Sequence, residues 1–243
     1  MEPMERTETK KSNIWVDFLP AIVLTVAGIA TLFVYLFVQK QHAIVQFLAL
    51  AVAPLIALVI PVLNRICKIE IPFALNVAIG VFTFAAIDLG TVLNFYALIP
   101  QYDKILHTLF GLLGAFCVFV LLLYGNGENL RPWCFFLLIL LCVLGVTALW
   151  EIYEFVEGAI THTDPQRWMP DLSTAGDLTV REFFASYHPL RDTMWDIIVA
   201  AFGVFAFYLL IFIDKLCGYR VCKRIYAQIK TPRKNTAQSK KIT

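Results

Sequence analysis

Residues 133–158 read WCFFLLILLCVLGVTALWEIYEFVEG. From Trp133 to Trp150 the run carries no charged side chain. A helix of that length crosses a bilayer core of about 30 Å at about 1.5 Å rise per residue. Its last turns then bring Glu151, Glu154 and Glu157, spaced three residues apart. Ionisable groups at such depth are costly, and they usually face a bundle interior or a wet cavity and mark a site.

Composition agrees with a membrane setting. The 243 residues are 59% hydrophobic and only 16% charged, with a mean hydropathy of +0.72. A soluble domain averages about 45–50% apolar and about 25% charged residues. Working outward from 133–158, five more apolar runs are legible, at about 14–38, 42–63, 71–95, 103–124 and 191–216. The expected fold is therefore all-α, a polytopic membrane bundle of six spans over residues 14–216. A polar segment, 1–13, precedes it, and a basic tail, 217–243, follows. The first run exceeds the 7–15 apolar residues of a signal-peptide core, so it reads as an uncleaved anchor. Pro54 and Pro61 predict kinks in the second span.

Six spans put both ends of the chain on one side. Arg6, Lys10, Lys11, Arg65, Lys68, Arg131 and the basic tail share that side, against Lys40, Arg167 and Arg181 on the other. The positive-inside rule makes it the cytoplasm. The tail is expected either to meet anionic lipid or to lack structure. The outer connection, 159–190, holds turn signals and a capping-box pattern from Thr179 to Glu182. It fits a surface helix or an ordinary loop equally well. The six cysteines lack paired CxxC spacing, which argues against a structural zinc site.

With that topology the unusual residues share one depth. Asp103 and His107 open the fourth span at i, i+4; Glu151 and Glu154 close the fifth; Asp192 and Asp196 open the sixth, again at i, i+4. The basic residues alone set the orientation, so this agreement is independent of it. Asp103 and Asp192 could instead act as N-caps. Glu157 reads as interfacial, and Lys104 and Arg191 either snorkel outward or neutralise nearby acids. Asp88, in the third span, either joins the cluster or hydrogen-bonds to Thr91 or to a neighbouring helix. Several carboxylates in one apolar pocket need a cation. A metal, shared protons or a substrate ammonium would each serve. An imidazole among carboxylates suits Zn, Mn, Fe, Mg or Ca better than a thiolate-preferring metal.

Tyr102-Asp103-Lys104-x-x-His107, Glu151-x-x-Glu154 and Asp192-x-x-x-Asp196 with Gly203 resemble the bacterial YjdF-like membrane proteins and, more distantly, the VanZ-like family. Glu154 stands where the VanZ-like pattern has Gln, and no Asn follows Asp196 at the usual place. The resemblance covers about residues 102–203. It implies a bacterial plasma-membrane location and, through the VanZ-like link to glycopeptide tolerance, work at the outer face on envelope lipids or precursors.

Three functions follow as expectations. The first is a metal-dependent enzyme acting on a lipid head group or envelope precursor. Asp103, His107, Glu151, Glu154, Asp192 and Asp196 would hold the divalent metal or shuttle protons, with Glu151 and Glu154 catalytic. The second is a proton- or cation-coupled transporter. The third is a structural or regulatory membrane protein. Membrane lipid is the expected partner and nucleic acid is not. No nucleotide-binding loop, Gly-x-Ser-x-Gly, His-Glu-x-x-His or phosphatidic-acid-phosphatase signature occurs.

Overall fold

The computed structural model describes residues 14–38, 44–66, 71–161 and 189–230. Expectations for 1–13, for Lys40, Cys67 and Lys68, for the capping-box stretch and for the tail beyond 230 lie outside those residues. Among the described residues every regular element is helical. In order they are α1 (Ile14–Phe33) with a π-helical extension (Val34–Val38), α2 (Ile44–Ile66), and α3 (Phe73–Thr83) running into a π-helical segment (Phe84–Val92). Then come α4 (Phe95–Leu98), α5 (Tyr102–Tyr124), a short 3₁₀ turn, α6 (Pro132–Thr161), α7 (Pro189–Leu216) and α8 (Arg220–Lys230).

Among the described residues five stretches are long and apolar enough to span a membrane: Asp17–Phe37, Phe73–Val92, Tyr102–Tyr124, Pro132–Glu157 and Leu190–Leu216. Helix α2 is apolar over at least Leu50–Ile66. Many large apolar side chains point outward, among them Val26, Ile29, Leu149, Phe155 and Phe202. Such a surface suits lipid, where burial of apolar groups against tails replaces burial in a core.

The contacts divide the chain into two compact units. The first comprises Met1–Phe95, Leu123–Gly125 and Asp214–Thr243; the second comprises Tyr96–Leu122 and Asn126–Ile213. In the first, α1 packs on α2, with Ala21, Leu24 and Ala57 as a small buried cluster. Helix α2 continues through both Pro54 and Pro61. The third span changes from α to π winding, and Asn94, just past its end, has a φ of 62°. Asn tolerates this left-handed conformation better than most residues.

The start of the tail is helical. Asp214 accepts from the amides of Val221 and Cys222, both at 2.9 Å, and so satisfies donors that the first turn of α8 leaves free. Burial, with the Asp214 carboxylate beside it, pushes the Cys222 thiol up to about 12, so it is no ready nucleophile.

In the second unit α5 and α7 cross at glycines. A Cβ built on Gly111 would stand 2.0 Å from the Ala200 carbonyl oxygen, and one on Gly203 would stand 2.1 Å from that of Thr108. Only hydrogen fits at either place. The small-residue crossing brings the two backbones close. Phe116 packs edge-on against Phe207, Phe119 tilts against the same ring, and Phe135 meets Phe119 edge-on.

Candidate functional site

Because the starts of α5 and α7 lie at the same end of that crossing, the side chains of their first turns converge. Lys104 is the centre of what they build. Its Nζ donates to Asp103 Oδ2 at 3.0 Å and to both Asp196 oxygens at 2.8 and 2.9 Å. A further bond goes to Asp192 Oδ1. Of the two roles open to Lys104 in the sequence, the neutralising one is realised. The ammonium turns inward, and its side chain is 22% exposed. Asp103 and Asp192 both direct carboxylate oxygens to it. Both acids lie inside the first turn of their helices, after Tyr102 and Pro189.

His107 lies one turn below Asp103 and is buried. Its Nε2 is 3.7 Å from Asp103 Oδ1 and 3.7 Å from Asp196 Oδ1. One donor atom from each of Asp103, His107 and Asp196 falls within 4.8 Å of the others. Asp196 is 1% exposed and belongs wholly to the interior.

The remaining acids stand apart from this close set. Glu151 is buried on α6 and borders a shallow apolar cleft with Ala148, Ile152, Phe155, Thr193 and Ile197. Glu154 is half-buried, and its Oε1 accepts from Trp150 Nε1 at 2.9 Å, one turn back. It remains in Coulomb range of Glu151, Asp103 and Asp196. Glu157 is partly exposed and neighbours Tyr153. Asp88 falls in the first unit, where Thr31 of α1 is its polar neighbour. Thr91 turns its hydroxyl to the Ala86 carbonyl at 3.4 Å.

Reading by charge and spacing offers Lys104 only as a snorkelling or neutralising residue, whereas its ammonium is central to this cluster. Its signal in the sequence is its position between Asp103 and His107 on the same helix turn.

The family model described as "Predicted membrane protein (DUF2238)" matches residues 21–215. The chain belongs to that family. Its match takes in both units and every helix that carries a site acid. No curated protein and no solved structure matches the chain. As a DUF2238 member with several bilayer-length apolar helices, it is a multi-pass integral membrane protein.

Proposed function

We propose that the second unit binds a divalent metal and is a membrane enzyme acting on a lipid head group or cell-envelope precursor. The observation that carries this is the donor set at Asp103 Oδ1, His107 Nε2 and Asp196 Oδ1, with two separations of 3.7 Å. Three ligands about 2.1 Å from a tetrahedral ion stand about 3.4 Å apart, so the two separations at His107 need to close by only about 0.3 Å. Lys104 is compatible with such an ion. It can keep Asp192 and Asp196 Oδ2 while Asp196 Oδ1 turns to the metal. Charge argues the same way. Asp103, Glu151, Glu154, Asp192 and Asp196 outnumber Lys104 and Arg191, and an apolar pocket needs further positive charge to hold them all.

Bound there, a divalent ion supplies Lewis-acid polarisation and a water that ionises near neutral pH. Glu151, at the apolar cleft between α6 and α7, is then placed to take or return a proton, and Glu154 to relay it. The apolar lining of the cleft suits an acyl chain, with the head group toward the acids. The resemblance to YjdF-like and VanZ-like proteins supports placing the site at the outer face of a bacterial plasma membrane.

The test is elemental analysis of the purified protein with a stability measurement. About one divalent ion per chain is expected, as a three-ligand catalytic site requires. It should be lost in Asp196→Asn and His107→Ala, and chelator should lower the melting temperature. Metal-free protein indifferent to chelator would sink the proposal.

One observation favours a second reading. Lys104 already binds the Asp196 Oδ1 that the metal would use, so the site could exchange cations during coupled transport. Cation- or proton-driven flux in vesicles, abolished by Glu154→Gln and present without bound metal, would favour it.

A further inference from the structure

A second acid in this molecule is buried and has no part in the cluster of α5, α6 and α7. Asp88 is 0% exposed in the π-helical segment Phe84–Val92. Neither of its carboxylate oxygens accepts a hydrogen bond of normal geometry. Thr31 of α1 is its polar neighbour. Gly28 and Leu50 lie close by. A Cβ built on Gly28 would stand 3.7 Å from Asp88 Oδ1 and 3.8 Å from Leu50 Cδ2. One turn further along, Val92 packs with Tyr35 and Leu50 in a buried cluster.

The charged groups of the packed helices gather elsewhere. Arg65, at the end of α2, lies over the Phe18 ring at 5.7 Å. The neighbouring Asp17 accepts from Asn76 Nδ2 through its carbonyl at 2.8 Å. Asn76 is a dozen residues before Asp88, on the order of 15 Å along the helix axis. Tyr35 is the titratable side chain of the cluster at Val92, one turn from Asp88. Among the described residues no ion pair includes Asp88.

An isolated carboxylate in such surroundings would lose its hydration with nothing to replace it, a cost the interior does not sustain. Buried acids in spans therefore carry a proton or a cation, and proton relays are built from them. A hard divalent ion is held by about six oxygen ligands, and Thr31 is the polar side chain that the described residues bring beside Asp88. π-Helical turns inside longer helices are frequently functional, and this one holds the acid. We propose that Asp88 is a proton-binding site of the first unit, buried between the π-helical segment and α1. Loss of its proton would put a charge against Gly28 and Leu50, so loading is coupled to the packing of α1 on this segment.

Dicyclohexylcarbodiimide reports such a group directly, because it enters membranes and reacts with the acid form. The carboxyl oxygen bonds to the carbodiimide carbon and the proton moves to nitrogen. The acyl group then migrates to that nitrogen as a stable N-acylurea, with nothing leaving. Purified wild-type protein in detergent should be modified at Asp88, located by peptide mass, and Asp88→Asn should lack that adduct. Modification should fall at high pH, because the reagent takes only the acid form. At lower pH, where modification persists, the folding equilibrium constant of the wild type should drop up to about tenfold per pH unit relative to Asp88→Asn, since unfolding releases the proton. Absence of the adduct at every pH would overturn the proposal, as would protection by sodium or potassium ions, which would make Asp88 a metal-cation site.

Discussion

Lys104 has a four-carbon stem and can either reach outward to head groups or fold back among acids. It folds back, and three aspartates receive its ammonium. Removing one partner of such a network leaves charge uncompensated at low dielectric, at about 3–5 kcal/mol for a fully buried pair. Lys104 and Asp192 retain some exposure, so Lys104→Met should cost about 3 kcal/mol in metal-free protein. Lys104→Met/Asp196→Asn should recover part of that loss, as read from denaturation midpoints in detergent. If a metal binds beside it, the same Lys104→Met should bind that metal roughly tenfold more tightly or better, because a like charge has gone. Unchanged stability and unchanged affinity together would show that Lys104 is not coupled to the aspartates. The order of the acids along the chain is legible in the sequence because depth follows from residue number in a helix. The direction of a flexible lysine is not, since both of its destinations satisfy the same local pattern. Glu154 is a similar case: its helix turn is predictable, but its bond to Trp150 depends on a rotamer.

At the scale of elements, the site depends on how closely α5 and α7 approach. Gly111 and Gly203 admit backbone where any other residue would place a Cβ about 2 Å from a carbonyl oxygen. Overpacking typically costs about 1–3 kcal/mol, and a clash with backbone belongs at the upper end because no rotamer change relieves it. Gly203→Leu should therefore separate the helices and lower the melting temperature. It should also abolish metal binding at Asp103, His107 and Asp196, although it alters no ligand. Gly145→Ala is the control, since nothing lies within 4 Å of a Cβ at that position. Equal metal content in Gly203→Leu and Gly145→Ala would contradict the dependence. The helices themselves are readable from apolar run length. Their contacts are less so, because each is apolar nearly all round and lacks the two-faced pattern that marks a buried stripe in water. The π-helical segment around Asp88 is illegible for a related reason: its composition suits an α-helix equally well, and only packing against α1 and α2 selects the wider winding.

At the scale of the whole molecule, the proposal of an outer-face site rests on orientation, and orientation rests on lysines and arginines near the ends of spans. Six crossings require α2, the 23-residue helix Ile44–Ile66, to traverse the bilayer. Were α2 not to cross, the first and last ends of the chain would fall on opposite sides, and the acids of α5, α6 and α7 would face the cytoplasm if the first end were the one held inside. The connection between α6 and α7 distinguishes these outcomes, because it must lie on the same side as Glu151 and Asp192. In a cysteine-free background, Ser173→Cys should react with a membrane-impermeant maleimide applied to intact cells. A fluorescent protein fused after Thr243 should fold and emit, as it does in the cytoplasm. Basic residues bias the result to this side at each short loop they flank. Moving that bias, by replacing Arg220, Lys223 and Arg224 with Gln, should leave the labelling at position 173 intact, because Arg65 and Arg131 still hold their own ends inside. Protection of the cysteine in intact cells together with labelling after permeabilisation would reverse the orientation. It would direct the search for a substrate to the cytoplasmic leaflet.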